Sequence, residues 1–416
     1  MIDFTVLSAT LNKDIRPAVV RQMYEKAPAW QLFGGWSAEE SVAKRANVGV
    51  SRFENNRMYM PIRSSYHSGI VSIQPGEKYQ YGSPTLNETY NTISTIVGSF
   101  QIQKAVLNTT NKGAIVKPLL FASETLANDL AMDANRQVYG GLGEVGVIAT
   151  TVSSGSGTTV YLTPSLNGDI DFARYFPPGT NISIDGATGG TPTATQCAVV
   201  AQTGDNEITV TPSMSWGASA KVQKMTGSNT ESSELAGLYG MVQASGSYQN
   251  LDSATAMSWK SYVNATAETL TAASTLPIQL EMHKAYFSAN KIGKVDWIIT
   301  NASLFQVYGR SLTPLVRFGQ KEVLAGGWVG LDYMGGMAQV LLDYDCPDDT
   351  IYFLSTQDLV FGEFQPLEWE QGTDGVLFKI TQQLDYEVTA SWMGQLGALA
   401  RGSQAALRNK TASATS

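Results

Sequence analysis

Apolar residues recur at three- and four-residue steps through Val116, Leu119, Leu120, Leu126, Leu130, Ala134 and Val138. That period draws one stripe down a helix and predicts a single helix over 117–139, about 33 Å long. Pro118 would fall in its first turn, where the missing N–H costs nothing, and Gly140-Gly141 would release the chain. Ahead of the helix, alternation predicts two extended runs. Val50, Met58, Met60 and Ile62 mark 48–62, and Ile93, Thr95, Val97, Phe100 and Ile102 mark 89–106. Between them lies a loop with turn signals at Pro75-Gly76 and Gly82-Ser83-Pro84. A hairpin this long is not stable alone. Its loop residues Tyr66, Ile70, Ile73, Tyr79 and Tyr81, with Lys78 near the tip, need a neighbouring surface from the same chain or another copy.

The pattern changes on either side of these elements. Residues 1–46 read as an arm with a short helix near 17–25. Trp30, Leu32, Phe33 and Trp36 gather around Gly34-Gly35, docked on a partner or on the chain's own core. Residues 147–226 carry short β runs separated by Asn167-Gly168, Asp185-Gly186 and Gly204-Asp205-Asn206, which predicts an inserted sandwich or barrel. Strand-like runs follow at 240–242 and 258–263. A helix over 276–292 is expected to present Leu276, Leu280, Lys284 and Phe287 near one face, with Ile278, Met282 and Tyr286 adjoining. Ser274 or Thr275 would cap it. The run 295–300 reads as a buried strand, and Asn301-Ala302-Ser303 as the cap of a helix over 304–310. Strands are expected at 376–380 and 385–392, and a frayed polar tail at 402–416.

Composition narrows what such a chain is for. Only 15% of its 416 residues are charged, with a net charge of −8. Low charge with many Gly, Ser, Thr, Asn and Gln residues suits a surface hidden in an assembly. No chain-wide basic footprint for nucleic acid is present. Cys197 and Cys346 are too few for a disulfide framework and read as free thiols, in keeping with synthesis in a reducing cytoplasm. The first twenty residues lack the apolar core of a signal peptide, and no run approaches the length of a membrane span.

Chemistry-bearing patterns are sparse. Gly141, Gly143 and Gly146 spell G-x-G-x-x-G, but a helix precedes them and β-like sequence follows, the inverse of a dinucleotide site. The two histidines, His67 and His283, lack the partners of a triad or zinc site. Asp343, Asp345, Asp348 and Asp349 surround Cys346-Pro347 without the spacing of a calcium loop, and read as a solvated turn. Glu363, Glu368, Glu370, Asp374 and Asp385 offer carboxylates of the kind glycosidases pair, yet read as surface charge. Arg401, Arg408 and Lys410 read as solubilising tail residues. No enzyme, cofactor or metal is expected.

The order of parts, with Trp297-Ile298-Ile299-Thr300-Asn301, the stretch from Asp343 through Pro347 to Ile351-Tyr352-Phe353-Leu354, and the ending over 386–401, resembles the HK97-like tailed-bacteriophage major capsid proteins. The likeness covers most of the chain outside 147–226. It implies an α+β fold of the HK97-like capsid type with an inserted small all-β domain. The implied divisions are an N-terminal arm (1–46), an E-loop with flanking strands (47–105), a P-domain spine helix (106–146) and the inserted β domain (147–226). An A-domain with returning P-domain strands (227–370) and closing P-domain strands with a tail (371–416) complete the chain. It further implies an E-loop reaching over a neighbour through Tyr66, Ile70, Ile73, Lys78, Tyr79 and Tyr81, and a spine helix packed through Leu119, Leu126, Leu130 and Val138. Some members cross-link a loop lysine to an asparagine; Lys78 is the lysine near this tip, without a matching motif. The implied product is an icosahedral virion shell built in the host cytoplasm from hexamers and pentamers. It would enclose double-stranded DNA without sequence-specific binding and use no membrane. A separate scaffolding protein, a portal and a decoration protein are the implied partners. Competing readings are an encapsulin-like compartment shell and, more remotely, a β-rich surface adhesin or hydrolase.

Overall fold

The computed structural model describes residues 27–34, 47–65, 67–78, 81–103, 112–140, 149–151, 155–164, 172–185, 197–204, 207–216, 221–225, 234–254, 256, 259–272, 277–312, 330–333, 337–347, 349–371, 376, 378–380 and 385–413. Five α-helices lie among them: α1 (Pro28–Gly34), α2 (Lys112–Tyr139), α3 (Leu238–Met241), α4 (Ile278–Asn290) and α5 (Ala302–Leu312). The chain forms two compact units, one from Met1–Val48, Ile93–Arg136 and Phe361–Gln395, the other from Gly49–Thr92, Gln137–Val360 and Leu396–Ser416.

In the first unit, strand Ser94–Gln103 runs antiparallel to strand Asp385–Ala398, in register from Gln103 opposite Asp385 to Ser94 opposite Gly394. Leu359–Trp369 and Phe378–Lys379 extend the same sheet. Thr95, Val97, Ser99 and Gln101 point to one face and Ile96 and Gly98 to the other, the period-2 pattern of a half-covered sheet. Helix α2 covers the Gly98 face. A Cβ on Gly98 would stand 2.7 Å from Leu126 Cδ1 and 3.1 Å from Leu130 Cδ2, so the two leucines pack directly onto the strand where a side chain is missing. Helix α1 docks here too. Trp30 is fully buried and meets Trp392 at 4.9 Å and Phe361 at 5.1 Å, both edge-on. Asn135 Oδ1 accepts the Ala29 N–H at 3.1 Å. The aromatic cluster of the arm is therefore packed within its own chain; Trp36 lies outside the described residues.

The second unit holds a six-stranded mixed sheet in the order Tyr262–Asn264, Ala405–Leu407, Ile351–Leu354, Trp297–Thr300, Ala338–Leu342, Gly330–Tyr333. Helices α4 and α5 share its core through Met282, Tyr286, Leu304 and Tyr308 against Ile298, Val340 and Phe353. Asn301 Oδ1 accepts the Leu304 N–H at 3.1 Å, as its capping position requires. Strands between Ala149 and Lys224 close into a six-stranded barrel around Val160, Phe176, Ile182, Val199, Ile208 and Val210. A three-stranded sheet, Arg52–Glu54, Arg57–Arg63 and Leu86–Thr92, packs Met58 and Met60 against Val360 and Leu399.

Several sequence expectations are corrected. Helix α2 begins at Lys112, so Pro118 stands inside it and leaves the Ala114 carbonyl without its usual donor. The run 48–62 is a hairpin. Asn55 and Asn56, at φ 50° and 58°, make a tight turn that side-chain alternation does not register. The second run breaks at Ile93. Residues 238–241 are helical rather than strand-like, and Pro277 takes the N-cap position of α4. Helix α4 buries Ile278, Met282, Ala285, Tyr286 and Ala289, and turns Leu280, Lys284 and Phe287 outward.

The largest correction is at the end of the chain. The expected frayed tail supplies an inner strand, Ala405–Leu407, and a second strand, Lys410–Ala412, parallel to Glu268–Leu270. Arg401, Arg408 and Lys410 are buried, not solubilising. The Arg401 guanidinium donates to the carbonyls of Met241 (2.5 Å), Gly246 (3.0 Å) and Gly240 (3.0 Å). Arg408 Nη2 donates to Val242 O at 2.7 Å. Lys410 Nζ donates to Thr266 O at 2.8 Å and to the Glu268 carboxylate. Burial lowers the Arg401 pKa to about 10, so it stays a cation at neutral pH, solvated by peptide oxygens. A chain ending at Gly402 is expected to be insoluble, as judged by expression and circular dichroism. Arg401→Met keeps the apolar stem but strands three carbonyls, and is expected to lose about 3 kcal/mol or more in urea unfolding. A soluble truncated chain with the parent unfolding midpoint contradicts this account.

Candidate assembly surface

The loop between Arg63 and Leu86 is built, not merely long. Ser64 N–H donates to Thr85 O at 2.9 Å and Thr85 N–H to Ser65 Oγ at 2.9 Å, which ties its base. A Cβ on Gly82 would stand 2.2 Å from Gly69 N, so the two limbs touch backbone to backbone. His67 Nδ1 accepts the Gly69 N–H at 3.1 Å, a local brace. Gln74 and Glu77 close the Pro75-Gly76 turn, with Gly76 at φ 95°. This framework presents Ile70 at 83% and Tyr81 at 84% exposure, with Val71, Ile73 and Leu86 also bare. Lys78 is exposed nearby. Tyr66 and Tyr79 lie outside the described residues.

At the base of this loop, charged and aromatic side chains form a cross-strand ladder. Arg52 lies 4.6 Å over the Tyr59 ring, Arg57 lies 4.2 Å over Tyr90, and the two tyrosines are 5.7 Å apart. Arg52 also meets Glu54 and Glu88, each at 3.1 Å. Stacked guanidinium groups stiffen an exposed sheet at little entropic cost.

Of the spine-helix residues, Leu130 is buried, and Leu126 is half-buried over Gly98. Val138 is buried, with its carbonyl so close to Gly237 that a Cβ there would stand at 2.5 Å. Leu119 belongs to the helix, but its side chain lies outside the described residues. Val138 and Leu130 were legible from the 3.6-residue period; the glycines that receive the helix were not.

The aspartate turn after strand Ala338–Leu342 is not solvated. Asp343 is 2% exposed. Its Oδ2 accepts the Tyr139 hydroxyl at 2.6 Å, and its Oδ1 accepts the Asp345 N–H at 2.9 Å. Asp345 Oδ1 accepts the Tyr175 hydroxyl at 2.6 Å. Burial, then the Asp343 charge, pushes the Tyr139 pKa well above its usual value, which keeps the phenol a donor. Asp349 is also buried, and Asp348 lies outside the described residues. Cys346 and Cys197 are buried free thiols. Among the described residues no cluster of three or more His, Cys, Asp or Glu is placed to hold a metal. No helix among them is long and apolar enough to cross a membrane.

Two of the remaining carboxylates are held by neighbouring donors. Glu363 accepts the Trp392 indole N–H at 3.0 Å, and Glu370 accepts the Ser391 hydroxyl. Asp374 and the glycines 141, 143 and 146 lie outside the described residues. His283 is half-buried against the Phe287 ring.

No protein-family profile matches the chain, and no curated protein does. Among solved structures, the chain is similar to one in the cyanophage A-1(L) capsid asymmetric unit, at 14% identity and TM-score 0.48, over 88% of this chain and 91% of that one. It is similar to a chain in the capsid of a native GTA particle, at 8% identity and TM-score 0.42, over 90% of each. A virus-like particle from Pyrococcus furiosus gives 9% identity and TM-score 0.39, over 95% of this chain and 99% of that one.

Two measurements follow from this geometry. Leu130→Asp places an unpaired charge against Gly98 and is expected to cost about 3 kcal/mol or more in chemical denaturation, with Leu126→Asp milder. Equal losses for the two would show that the helix face is misassigned. Burial raises the Glu363 pKa, partly offset by the Trp392 hydrogen bond. The unfolded chain therefore releases this proton first as pH rises, and stability falls through that window. Glu363→Gln keeps an acceptor for Trp392 and is expected to raise the thermal midpoint at pH 7. The gap should close as pH drops below the ordinary carboxylate range; a gap that persists there contradicts the sign.

Proposed function

We propose that this chain is a structural major capsid protein of the HK97-like type. Copies of it build the icosahedral shell that encloses the double-stranded DNA of a tailed bacteriophage. The observation that carries this reading is the loop over 64–85. It is a braced framework whose purpose in an isolated chain would be to hold Ile70, Val71, Ile73 and Tyr81 in water. Bare apolar residues on an ordered arm are stabilised by a partner's surface. The order of elements, a strand-loop-strand arm, a 28-residue helix and a mixed sheet with a barrel inserted between them in sequence, fits that scaffold. In this reading the arm lies on a neighbouring copy, and hexamers and pentamers gain avidity from many modest contacts. The chain is a building block rather than a catalyst, located in the virion shell after assembly in the host cytoplasm. A scaffolding protein, a portal and a decoration protein are the accessory partners of such a shell. The DNA is enclosed without sequence-specific contacts, in keeping with the net charge of −8.

Negative-stain microscopy and sedimentation of the purified chain are expected to show capsomers or closed shells. Ile70→Asp combined with Tyr81→Asp should leave folded, unassembled protein. A monodisperse 44.8 kDa species at all concentrations would sink the proposal. Particles filled with protein cargo and free of DNA in infected cells would move the reading to a compartment shell.

A further inference from the structure

The inserted barrel is a body with its own core. Val160, Phe176, Ile182, Val199, Ile208 and Val210 are buried together, and none of them belongs to the core that α4 and α5 share with the mixed sheet. Tyr175 ends the short 3-10 helix Phe172–Tyr175 and packs into the barrel core at 4% exposure. Gln202 Nε2 donates to Ala173 O at 2.7 Å and to Phe176 O at 3.2 Å. These bonds pin the 3-10 helix to strand Cys197–Gly204, so Tyr175 moves with the barrel. Its hydroxyl, however, points out of the barrel. It donates to Asp345 Oδ1, in the turn that follows strand Ala338–Leu342 of the mixed sheet.

That turn is fixed from its other side by a second phenol. Asp343 Oδ2 accepts from Tyr139, the last residue of α2, while Asp343 Oδ1 and O accept the N–H groups of Asp345 and Cys346. The two Tyr–Asp bonds are equal in length, 2.6 Å, but not in setting. Asp343 is 2% exposed, so water cannot replace the donor that Tyr139 supplies. Asp345 is half-buried, and Tyr344 beside it is 73% exposed, so the outer bond lies where water can enter. A hydrogen bond whose partners can both turn to water contributes little net free energy and opens locally. The inner bond is built to stay closed, and the outer one to open.

We propose that the turn 343–346 is a latch with one fixed and one releasable side: Tyr139–Asp343 holds it to the end of α2, and Tyr175–Asp345 seats the barrel on it. Opening the outer bond lets the barrel leave its seat as an intact body, because its core draws no residue from the sheet. Compact bodies within one chain move relative to each other unless a large apolar interface holds them. A force applied to the barrel is then taken up at the latch and not by unfolding of the scaffold. The latch belongs to a single chain, so it stands or falls separately from shell formation.

The test is hydroxyl-radical footprinting of the full-length chain read by mass spectrometry, with amide hydrogen exchange measured alongside. In the parent, Tyr175 is expected to be protected and Tyr344 to label freely. Asp345→Ala removes the outer acceptor. It should raise labelling of Tyr175 toward that of Tyr344 while exchange at Val160, Ile208 and Val210 stays as in the parent. If Asp345→Ala fails to fold, Asp345→Asn decides by the same two readings, since it removes the charge and keeps the shape. Tyr139→Phe, at the fixed side, should instead lower the urea midpoint of the whole second unit, with Tyr175 exposed only as that unit unfolds. A Tyr175 that stays protected when Asp345 is replaced overturns the proposal, because other contacts would then seat the barrel. Faster exchange throughout the barrel in the same variant overturns it too, because the bond would then belong to the barrel's own folding. So does a Tyr139→Phe chain of parental stability with Tyr175 exposed, which would make the inner bond the releasable one.

Discussion

The second unit depends on one constraint: its last strands are completed by the end of the chain, and buried cations hold them there. Ala405–Leu407 lies between Tyr262–Asn264 and Ile351–Leu354. Arg401 and Arg408 reach across to the peptide carbonyls around α3, and Lys410 to Thr266 and Glu268. A buried guanidinium without a carboxylate partner is stable only because several carbonyl dipoles converge on it. Those carbonyls converge because α3 is a single short turn whose last acceptors have no helical donor. The cation thus satisfies a defect in the helix, and the helix satisfies the cation. Each segment thus supplies the polar partners that the other lacks.

Much of the architecture was legible because it is local. The 3.6-residue period marked α2, turn residues at short intervals marked the barrel, and Asn301 marked the start of α5. What escaped was set by contacts distant in sequence. Arg401, Arg408 and Lys410 read as a solvated tail because nothing nearby shows that carbonyls from 240–246 and 266 will surround them. Asp343 read as solvated because its donor, Tyr139, is two hundred residues away. Which face of α4 is buried was left open for a different reason. The helix has apolar residues on both sides, and period alone does not choose between them; the sheet claims Met282 and Tyr286 and leaves Phe287 bare.

The same distinction applies to the surfaces of proposed function. The exposure of Ile70, Ile73 and Tyr81 was legible, because these residues had no periodic place in a core. Gly69 and Gly82, which let its limbs touch, could be read only once the backbone was traced. In the proposed shell the ordered base of the loop lowers the cost of docking. A limp arm would lose conformational freedom on docking, whereas one already braced by the Ser64–Thr85 bond and the Arg–Tyr ladder has lost much of it during folding.

Low charge completes the logic. With 15% charged residues the chain has little electrostatic repulsion to keep copies apart, and its bare apolar side chains include a group on the loop, Ile70, Val71, Ile73 and Tyr81, beside others such as Phe121, Tyr344 and Phe364 set elsewhere. Uniform stickiness would give amorphous aggregates, because every relative orientation would be equally good. A patch held in one shape restricts the orientations that bury it. The loop is mostly apolar and its base is braced, so it offers a partner a surface of fixed shape. In the proposed shell, a contact of fixed shape repeated by every copy is what a closed arrangement of identical chains requires.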